Sequence, residues 1–204
     1  MLSYIVFINY YKIEEGERDM EVVKDVHLLD STKGSHAYLV VGRETVLVDT
    51  GRRGLHLKIL QEIRDLGFQP SEIKHILLTH HDLDHIGNAK ALKESTDAKL
   101  WASQKDLPYI YENIMRPGLK GVFQSIFKVD IPEIDATYED KQIIGGIKVI
   151  YTPGHTPGHV CFLANSVLFA GDLVTCMKGK IKPSPSIMTW NQDLLSESIE
   201  ILDS

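Results

Sequence analysis

Residues 79–87, Thr-His-His-Asp-Leu-Asp-His-Ile-Gly, place three imidazoles and two carboxylates directly after an apolar run. So many ionisable groups behind a buried strand cost free energy unless something pairs with them, and a divalent metal ion would satisfy them together. His80 and Asp82 are two residues apart, so an extended backbone points both side chains to the same side. Asp84 and His85 follow where the chain should turn into a helix, so their side chains can face a second metal position. The stretch therefore predicts one loop that supplies ligands to two neighbouring metal ions.

Three other polar loops also follow apolar runs that have the composition of strands. They are Val-Asp-Thr-Gly at 48–51, Thr-Pro-Gly-His-Thr-Pro-Gly-His at 152–159 and Phe-Ala-Gly-Asp at 169–172. Ligand sites are commonly built in loops at the strand ends of a packed sheet structure. These loops are therefore candidates for completing the metal site.

The hydrophobic pattern predicts the elements that must position these loops. Up to residue 102 the pattern alternates strand and helix, which is typical of a sheet with helices on a face. Beyond residue 129 it predicts two hairpins and a closing helix. The predicted elements are strands over about 22–29, 36–41, 45–49, 73–78 and 98–102, helices over 55–66, 87–95 and 192–202, and hairpins over 141–151 and 160–170.

The 204 residues suit a single domain, spanning 1–204, with a sizeable core. Residues 1–19 are interpreted as a strand or as an N-terminal extension before the domain proper. Residues 103–129 mix aromatic and aliphatic residues with Pro and Gly, and we expect them to form a helical insertion. The insertion has two compatible interpretations, a peripheral unit with its own small core and a lid or apolar wall over the metal loop.

Charge and cysteine content narrow the expected partners and compartment. A formal net charge of -6 and a pI of about 5.8 argue against nucleic acid or an anionic membrane as partner, since both need a basic surface. Cys161 and Cys176 form no metal-binding spacing, which favours two reduced thiols in a cytoplasmic protein. The apolar N-terminus is too short to span a bilayer and lacks the features of a secretory signal, so we expect no membrane segment. The oligomeric state stays open, with a homodimer as one alternative.

The four motifs, in this order, resemble those of the metallo-β-lactamase superfamily, specifically its glyoxalase II and lactone-hydrolase-like members. The hallmark Thr-His-x-His-x-Asp-His-x-Gly matches residues 79–87 at every named position but one, and 48–51, 152–159 and 169–172 match the other motifs. The resemblance covers about residues 22–204. It implies an α+β fold, a four-layer αββα sandwich with a binuclear site at one edge.

The resemblance also implies which residues bind the metal ions. Three ligands hold the first ion, two hold the second and one bridges them: His80, Asp82 and His155 for the first, Asp84 and His85 for the second, and Asp172 between them. Asp49 is expected to hold the metal loop by hydrogen bonds, and His159 to support a ligand without binding the metal. His81 stands at a variable position of the hallmark and is left out of the ligand set.

Two features depart from the family pattern. Asp82 stands where the family commonly has histidine, and a carboxylate there favours harder metals such as iron or manganese relative to zinc. The family also supplies a last histidine to the second ion after the helix that begins near Gln192, and no histidine follows His159. We expect a shortened C-terminus and a weaker second site, with a truncated chain or a ligand from a partner as alternatives.

The expected cofactors are two divalent metal ions, zinc first, with iron or manganese as alternatives. The expected function is a hydrolase in which a hydroxide held by the metals attacks the carbonyl carbon of a small-molecule ester, thioester or lactone. Asp84 is the expected catalytic residue, since it could orient the hydroxide and pass its proton to the leaving group. Two alternatives stay open, an iron-dependent redox enzyme, which Asp82 favours, and a non-catalytic metal-binding protein, which the missing histidine favours.

Overall fold

The computed structural model describes residues 21–177 and 180–203. The strand or extension expected over residues 1–19 lies outside these ranges. Within them, no helix combines the length and the apolar composition that crossing a bilayer requires.

A seven-stranded sheet forms from the first part of the described chain, and its strands lie in chain order. The strands are β1 (Glu21–Val23), β2 (Val26–Leu28), β3 (Tyr38–Val40), β4 (Thr45–Val48), β5 (Ile73–Leu77), β6 (Lys99–Ala102) and β7 (Ala136–Thr137). Pairing is antiparallel from β1 to β4 and parallel from β4 to β7. The prediction of one strand over 22–29 is wrong, because Asp25 adopts a φ of +66° and turns the chain into a β1–β2 hairpin.

A second, four-stranded sheet is antiparallel throughout and has the order β11-β10-β9-β8. Its strands are β8 (Ile143–Ile144), β9 (Ile147–Tyr151), β10 (Val160–Ala164) and β11 (Val167–Phe169). A separate two-stranded hairpin, which the sequence pattern did not predict, consists of β12 (Val174–Met177) and β13 (Lys180–Pro183). Gly145 and Gly146 turn the chain between β8 and β9, both with positive φ. Asn165 and Ser166 do the same between β10 and β11. These turns lie where the sequence predicts hairpins.

Six α-helices in the described ranges connect or cover the strands. They are α1 (His56–Asp65), α2 (Leu83–Ile86), α3 (Ala89–Thr96), α4 (Leu107–Ile110), α5 (Leu119–Ile126) and α6 (Gln192–Asp203). The helix predicted from residue 87 is α3, and it is preceded by the one-turn helix α2, which carries Asp84 and His85. Helix α2 therefore belongs to the metal loop, and α3 to the packing of the sheet.

Three apolar clusters stack these elements into layers. Leu92 of α3 packs with Ile76 of β5 on the outer face of the seven-stranded sheet. Leu77 faces the opposite way, because neighbouring residues of a strand alternate sides, and it packs with Phe162 of β10 between the two sheets. Leu195 of α6 belongs to a third cluster on the outer face of the second sheet. The order helix, sheet, sheet, helix is the expected four-layer αββα sandwich of the α+β class.

The sheet topology brings the polar loops to one edge. Strands β4 and β5 are parallel neighbours with Val48 opposite Leu77, so the loops that follow them start side by side. The backbone N–H of Asp49 donates to the carbonyl of Leu77 at 2.9 Å, and the N–H of Val160 donates to the carbonyl of Thr79 at 2.9 Å. The second contact joins the two sheets. Loops from both sheets therefore meet at the carboxyl ends of β4 and β5.

Candidate metal centre

Four of the six expected ligands come together at this edge. His80, Asp82, His155 and Asp172 each present a ligand atom, and these atoms lie within 4.8 Å of one another. His155 Nε2 is 3.0 Å from Asp82 Oδ2, and His80 Nε2 is 3.5 Å from the same oxygen. Asp172 Oδ2 is 3.6 Å from His155 Nε2 and 4.0 Å from His80 Nε2. The first three side chains are buried, and that of Asp172 is 40% exposed, so the cluster opens on the Asp172 side.

These distances suit one divalent ion. Tetrahedral coordination with bonds of about 2.0–2.1 Å requires ligand atoms about 3.3 Å apart, and the separations of 3.0–4.0 Å surround that value. His80 Nε2 is buried and has no hydrogen-bond partner in the described part of the chain, which is costly for a polar atom. Imidazole nitrogens with carboxylate oxygens are a donor set that zinc, iron and manganese accept. The four side chains therefore fit a metal ion by spacing and by chemistry.

A chain of hydrogen bonds fixes the orientation of His80. Thr79 donates twice to Asp49, from its backbone N–H at 2.8 Å and from Oγ1 at 2.7 Å. Because the single hydroxyl hydrogen is used there, Thr79 Oγ1 accepts from His80 Nδ1–H at 2.9 Å. The proton is therefore on Nδ1, and Nε2 offers its lone pair to the cluster. Asp49 holds the loop by hydrogen bonds, as the resemblance implies.

The other two imidazoles are oriented in the same way. His85 Nδ1 lies 2.8 Å from Asp49 Oδ2, and its Nε2 lies 3.3 Å from Asp172 Oδ1. His155 Nδ1 lies 2.9 Å from Ser184 Oγ, and its Nε2 belongs to the cluster. In each ring Nδ1 faces an oxygen outside the cluster and Nε2 faces the cluster, an arrangement typical of metal-binding histidines.

Lys120 of α5 also reaches the cluster. Its ammonium donates to Asp82 Oδ2 at 2.6 Å and to His155 Nε2 at 2.9 Å. Among the described residues Lys120 forms an ion pair with Asp82 and none with Asp172, so the ammonium lies on the Asp82–His155 edge and not at the centre of the four ligand atoms. The sequence contains no motif that would have indicated this residue.

The electrostatics of the cluster favour a charged Asp82 beside a neutral His80. Burial would raise the pKa of Asp82, but the neighbouring His155 and His80 and the charge of Lys120 outweigh it and hold that pKa well below its usual range. Burial lowers the pKa of His80, and the charge of His85 lowers it further. A deprotonated carboxylate and a neutral imidazole are the forms that bind a metal.

The family model of the metallo-beta-lactamase superfamily matches residues 31–198. The chain belongs to this superfamily. It is 31% identical over 176 residues to the uncharacterized protein YobT of Bacillus subtilis (strain 168), covering 78% of this chain and 73% of that protein. It is 27% identical over 144 residues to the hydroxyacylglutathione hydrolase GloC of Haemophilus influenzae, covering 65% of this chain and 62% of GloC. The FEZ-1 metallo-beta-lactamase from Legionella gormanii has the same fold, with a TM-score of 0.71 and 20% identity over 95% of this chain and 78% of that one.

Members of the metallo-beta-lactamase superfamily are mostly hydrolases that bind divalent metals, often zinc. Family membership therefore gives the reaction class that most of these proteins share, and not the reaction of this chain. The chain spans 62% of the length of GloC, and neither the substrate nor the metal follows from family membership.

In this member of the superfamily, Asp84 and His85 lie beside the four-ligand cluster. Together with Asp172 they line a cavity of about 320 Å³. Burial raises the pKa of Asp84, and the charges of Asp172 and Asp82 raise it too, against the opposing charge of His85. The second metal position over Asp84 and His85 stays a prediction. His36, which no motif indicated, lines the same cavity, and its Nδ1 has no hydrogen-bond partner within the described ranges.

Asp106 is a further residue that sequence reasoning missed. Its carboxylate is buried and accepts from the backbone N–H of His81 at 3.0 Å, Thr156 Oγ1 at 2.9 Å and the backbone N–H of Gly158 at 2.8 Å. His81 belongs to the loop after β5, and the other two to the loop after β9. Asp106 therefore joins two loops that carry expected ligands.

The remaining two histidines of the motifs are buried outside the cluster. His81 stacks on Tyr109 with ring centroids 4.5 Å apart. His159 Nδ1 lies 2.9 Å from Thr152 Oγ1, and burial, with the nearby His155, lowers the pKa of His159 to about 3. Neither residue belongs to the four-residue cluster found in the described part of the chain.

Proposed function

We propose that this protein is a metal-dependent hydrolase that cleaves a small ester, thioester or lactone, and that it binds two divalent ions, zinc first. The observation that carries the proposal is the buried cluster of His80, Asp82, His155 and Asp172, whose ligand atoms have the spacing of a metal site. Membership of the metallo-beta-lactamase superfamily supports hydrolysis as the reaction class. The name of the relative GloC, a hydroxyacylglutathione hydrolase, supports an acyl compound as substrate.

Different side chains of the centre have different roles in such a reaction. A divalent ion bound here would lower the pKa of a water molecule and polarise a carbonyl oxygen. Asp84 faces the same cavity as Asp172 and is partly buried, so it can accept the proton of the attacking water and pass it to the leaving group. Asp49 and Ser184 keep the imidazoles oriented, so the site needs little rearrangement during the reaction.

A panel of esters, thioesters and lactones, assayed with zinc, iron(II) or manganese(II) added back, tests the proposal. We expect turnover of at least one class, reduced by more than about 100-fold in His80→Ala. His75→Ala is the matched control, because this histidine contacts Glu44 and Trp101 away from the centre. No turnover above the His80→Ala background with any of the three metals would overturn the proposal.

An iron-dependent redox enzyme is the second candidate, and one observation favours it. Asp82 puts a carboxylate among the ligands, which shifts the preference of the site towards harder ions than zinc. Metal analysis of natively purified protein decides between the candidates. Iron as the bound metal would favour the redox enzyme, and zinc alone would exclude it.

A further inference from the structure

Helix α5 turns its polar face towards the metal centre. Lys120 and Gln124 are buried, whereas Val122 and Ile126 are 54% and 65% exposed. A surface helix ordinarily buries its apolar face, so apolar packing does not account for this orientation. The polar contacts of Lys120 and Gln124 account for the orientation of the helix. Lys120 makes the contacts with the metal centre.

The ammonium of Lys120 depends on atoms that the metal centre also uses. Its acceptors are Asp82 Oδ2 at 2.6 Å, His155 Nε2 at 2.9 Å and, more distantly, the carbonyl of His155 at 3.4 Å. The lone pair of His155 Nε2 can serve a metal or a hydrogen bond, not both. A metal on His155 therefore removes one of the three acceptors, so one N–H of the ammonium becomes available to another acceptor while Asp82 keeps its ion pair.

A cavity of about 240 Å³ is lined in part by Lys120. Lys120 and His155 contribute to its lining, and much of the remaining wall is apolar. That apolar part comes from the start of the α5 region, the loop after β9 and the segment before α6: Pro117, Pro157, Ile187, Met188 and Trp190. The cavity thus combines one cation beside a metal ligand with walls that suit an acyl chain.

We propose that Lys120 binds a carboxylate of the substrate, and that the substrates are short acyl esters or thioesters with a carboxylate near the scissile carbonyl. This inference rests on the proposed hydrolase function and names its substrate class. One ammonium suits a carboxylate, whereas a phosphate would need more donors. Lys120 Nζ lies only 2.9 Å from His155 Nε2, so a carboxylate on the ammonium would lie close to a carbonyl at a metal held by His155. The acyl chain between the two groups must therefore be short.

A pair of thioesters tests the inference in the zinc-saturated protein. The succinyl and butyryl thioesters of N-acetylcysteamine have similar chains and differ in the carboxylate. We expect wild type to prefer the succinyl compound about tenfold or more in kcat/KM, Lys120→Met to lose that preference, and Lys120→Arg to keep most of it. Lys128→Met is the matched control, because this exposed lysine of the same segment pairs with Glu112. An unchanged preference in Lys120→Met would overturn the inference.

A binding measurement separates this inference from the hydrolase proposal. Succinamate and butyramide, an anionic and a neutral amide, are titrated calorimetrically into zinc-saturated wild type and the variants, with zinc content measured alongside. If no compound of the ester, thioester and lactone panel is hydrolysed, the proposed function fails, yet tighter binding of succinamate that Lys120→Met abolishes still supports a carboxylate site. Equal binding of the two amides by wild type overturns it. Lys120→Gln, which keeps donors but removes the charge, replaces Lys120→Met if that variant does not fold.

Discussion

Asp106→Asn tests how the loops of the metal centre are held together. Oδ2 of Asp106 accepts from the backbone N–H of His81 and from Thr156 Oγ1, and Oδ1 accepts from the backbone N–H of Gly158. Asparagine keeps the shape of the side chain but offers one carbonyl oxygen, and its amide group is a donor. Whichever way the amide points, it faces at least one backbone N–H that also donates.

The cost follows from the hydrogen bonds. One buried N–H left without an acceptor costs about 1–3 kcal/mol, and each remaining bond loses about 1 kcal/mol when its acceptor is no longer charged. With two bonds remaining, the free energy of unfolding should fall by about 3–5 kcal/mol. Such a loss is large against a typical domain stability of about 5–15 kcal/mol. The two loops should also lose alignment, so zinc affinity should fall by about 10–100-fold.

Urea denaturation followed by circular dichroism gives the stability change, and competition with a chelator dye gives the zinc affinity. Asp65→Asn on α1 is the matched control, since its carboxylate accepts from Gln61 on the exposed surface, and it should change stability by less than about 0.5 kcal/mol. A loss below about 1 kcal/mol in Asp106→Asn with unchanged zinc affinity would refute the reasoning that Asp106 joins the loops.

Three further substitutions test other contacts of the centre. Asp49→Asn removes a carboxylate oxygen that orients the metal loop and His85, so zinc affinity should fall about 10–100-fold with the fold retained by circular dichroism; unchanged affinity would contradict this. Gly171→Ala would place a Cβ 2.7 Å from His159 Nε2 at a φ of +49°, so urea denaturation should show a loss of about 1–3 kcal/mol that Gly42→Ala does not share. Burial holds the pKa of His159 at about 3 against 6.5 when unfolded, so its stabilisation is present above pH 6.5 and is lost as the pH falls towards 3. Between pH 7 and pH 5 the metal-free wild type should therefore lose about 2 kcal/mol more than His159→Gln, and equal losses would count against the buried neutral form.

The fold could be predicted where the buried faces of an element leave an apolar pattern in the sequence. Strand β5 shows this, since Ile76 and Leu77 are both apolar because each faces a different layer of the sandwich. The β1–β2 hairpin was missed because the turn depends on the backbone conformation of Asp25, which hydrophobicity does not report. The β12–β13 hairpin was missed because the residues of β13 are all exposed and leave no alternation to detect.

The candidate metal centre likewise contains residues that the sequence predicts and residues that it does not. The four residues of the cluster could be brought together from the sequence because they follow strands and carry a recognisable order of residue types. Asp106 and Lys120 could not, because each acts through contacts with loops far away in the sequence. Nothing in the local pattern around Asp106 distinguishes it from a surface aspartate, and Lys120 stands in a segment whose neighbours are largely apolar.

The unusual candidate ligand Asp82 and the unexpected cation Lys120 are best understood as one feature. A carboxylate in place of imidazole adds a buried negative charge beside Asp172, and burial alone disfavours the charged form. Lys120 compensates at 2.6 Å, which keeps Asp82 deprotonated and able to bind a metal. With a histidine at position 82 the same ammonium would lose its counter-ion and would repel the metal ion. A lysine in this place on α5 is therefore compatible with the centre only because residue 82 is acidic, and in the proposed carboxylate site the substrate would share the ammonium with Asp82.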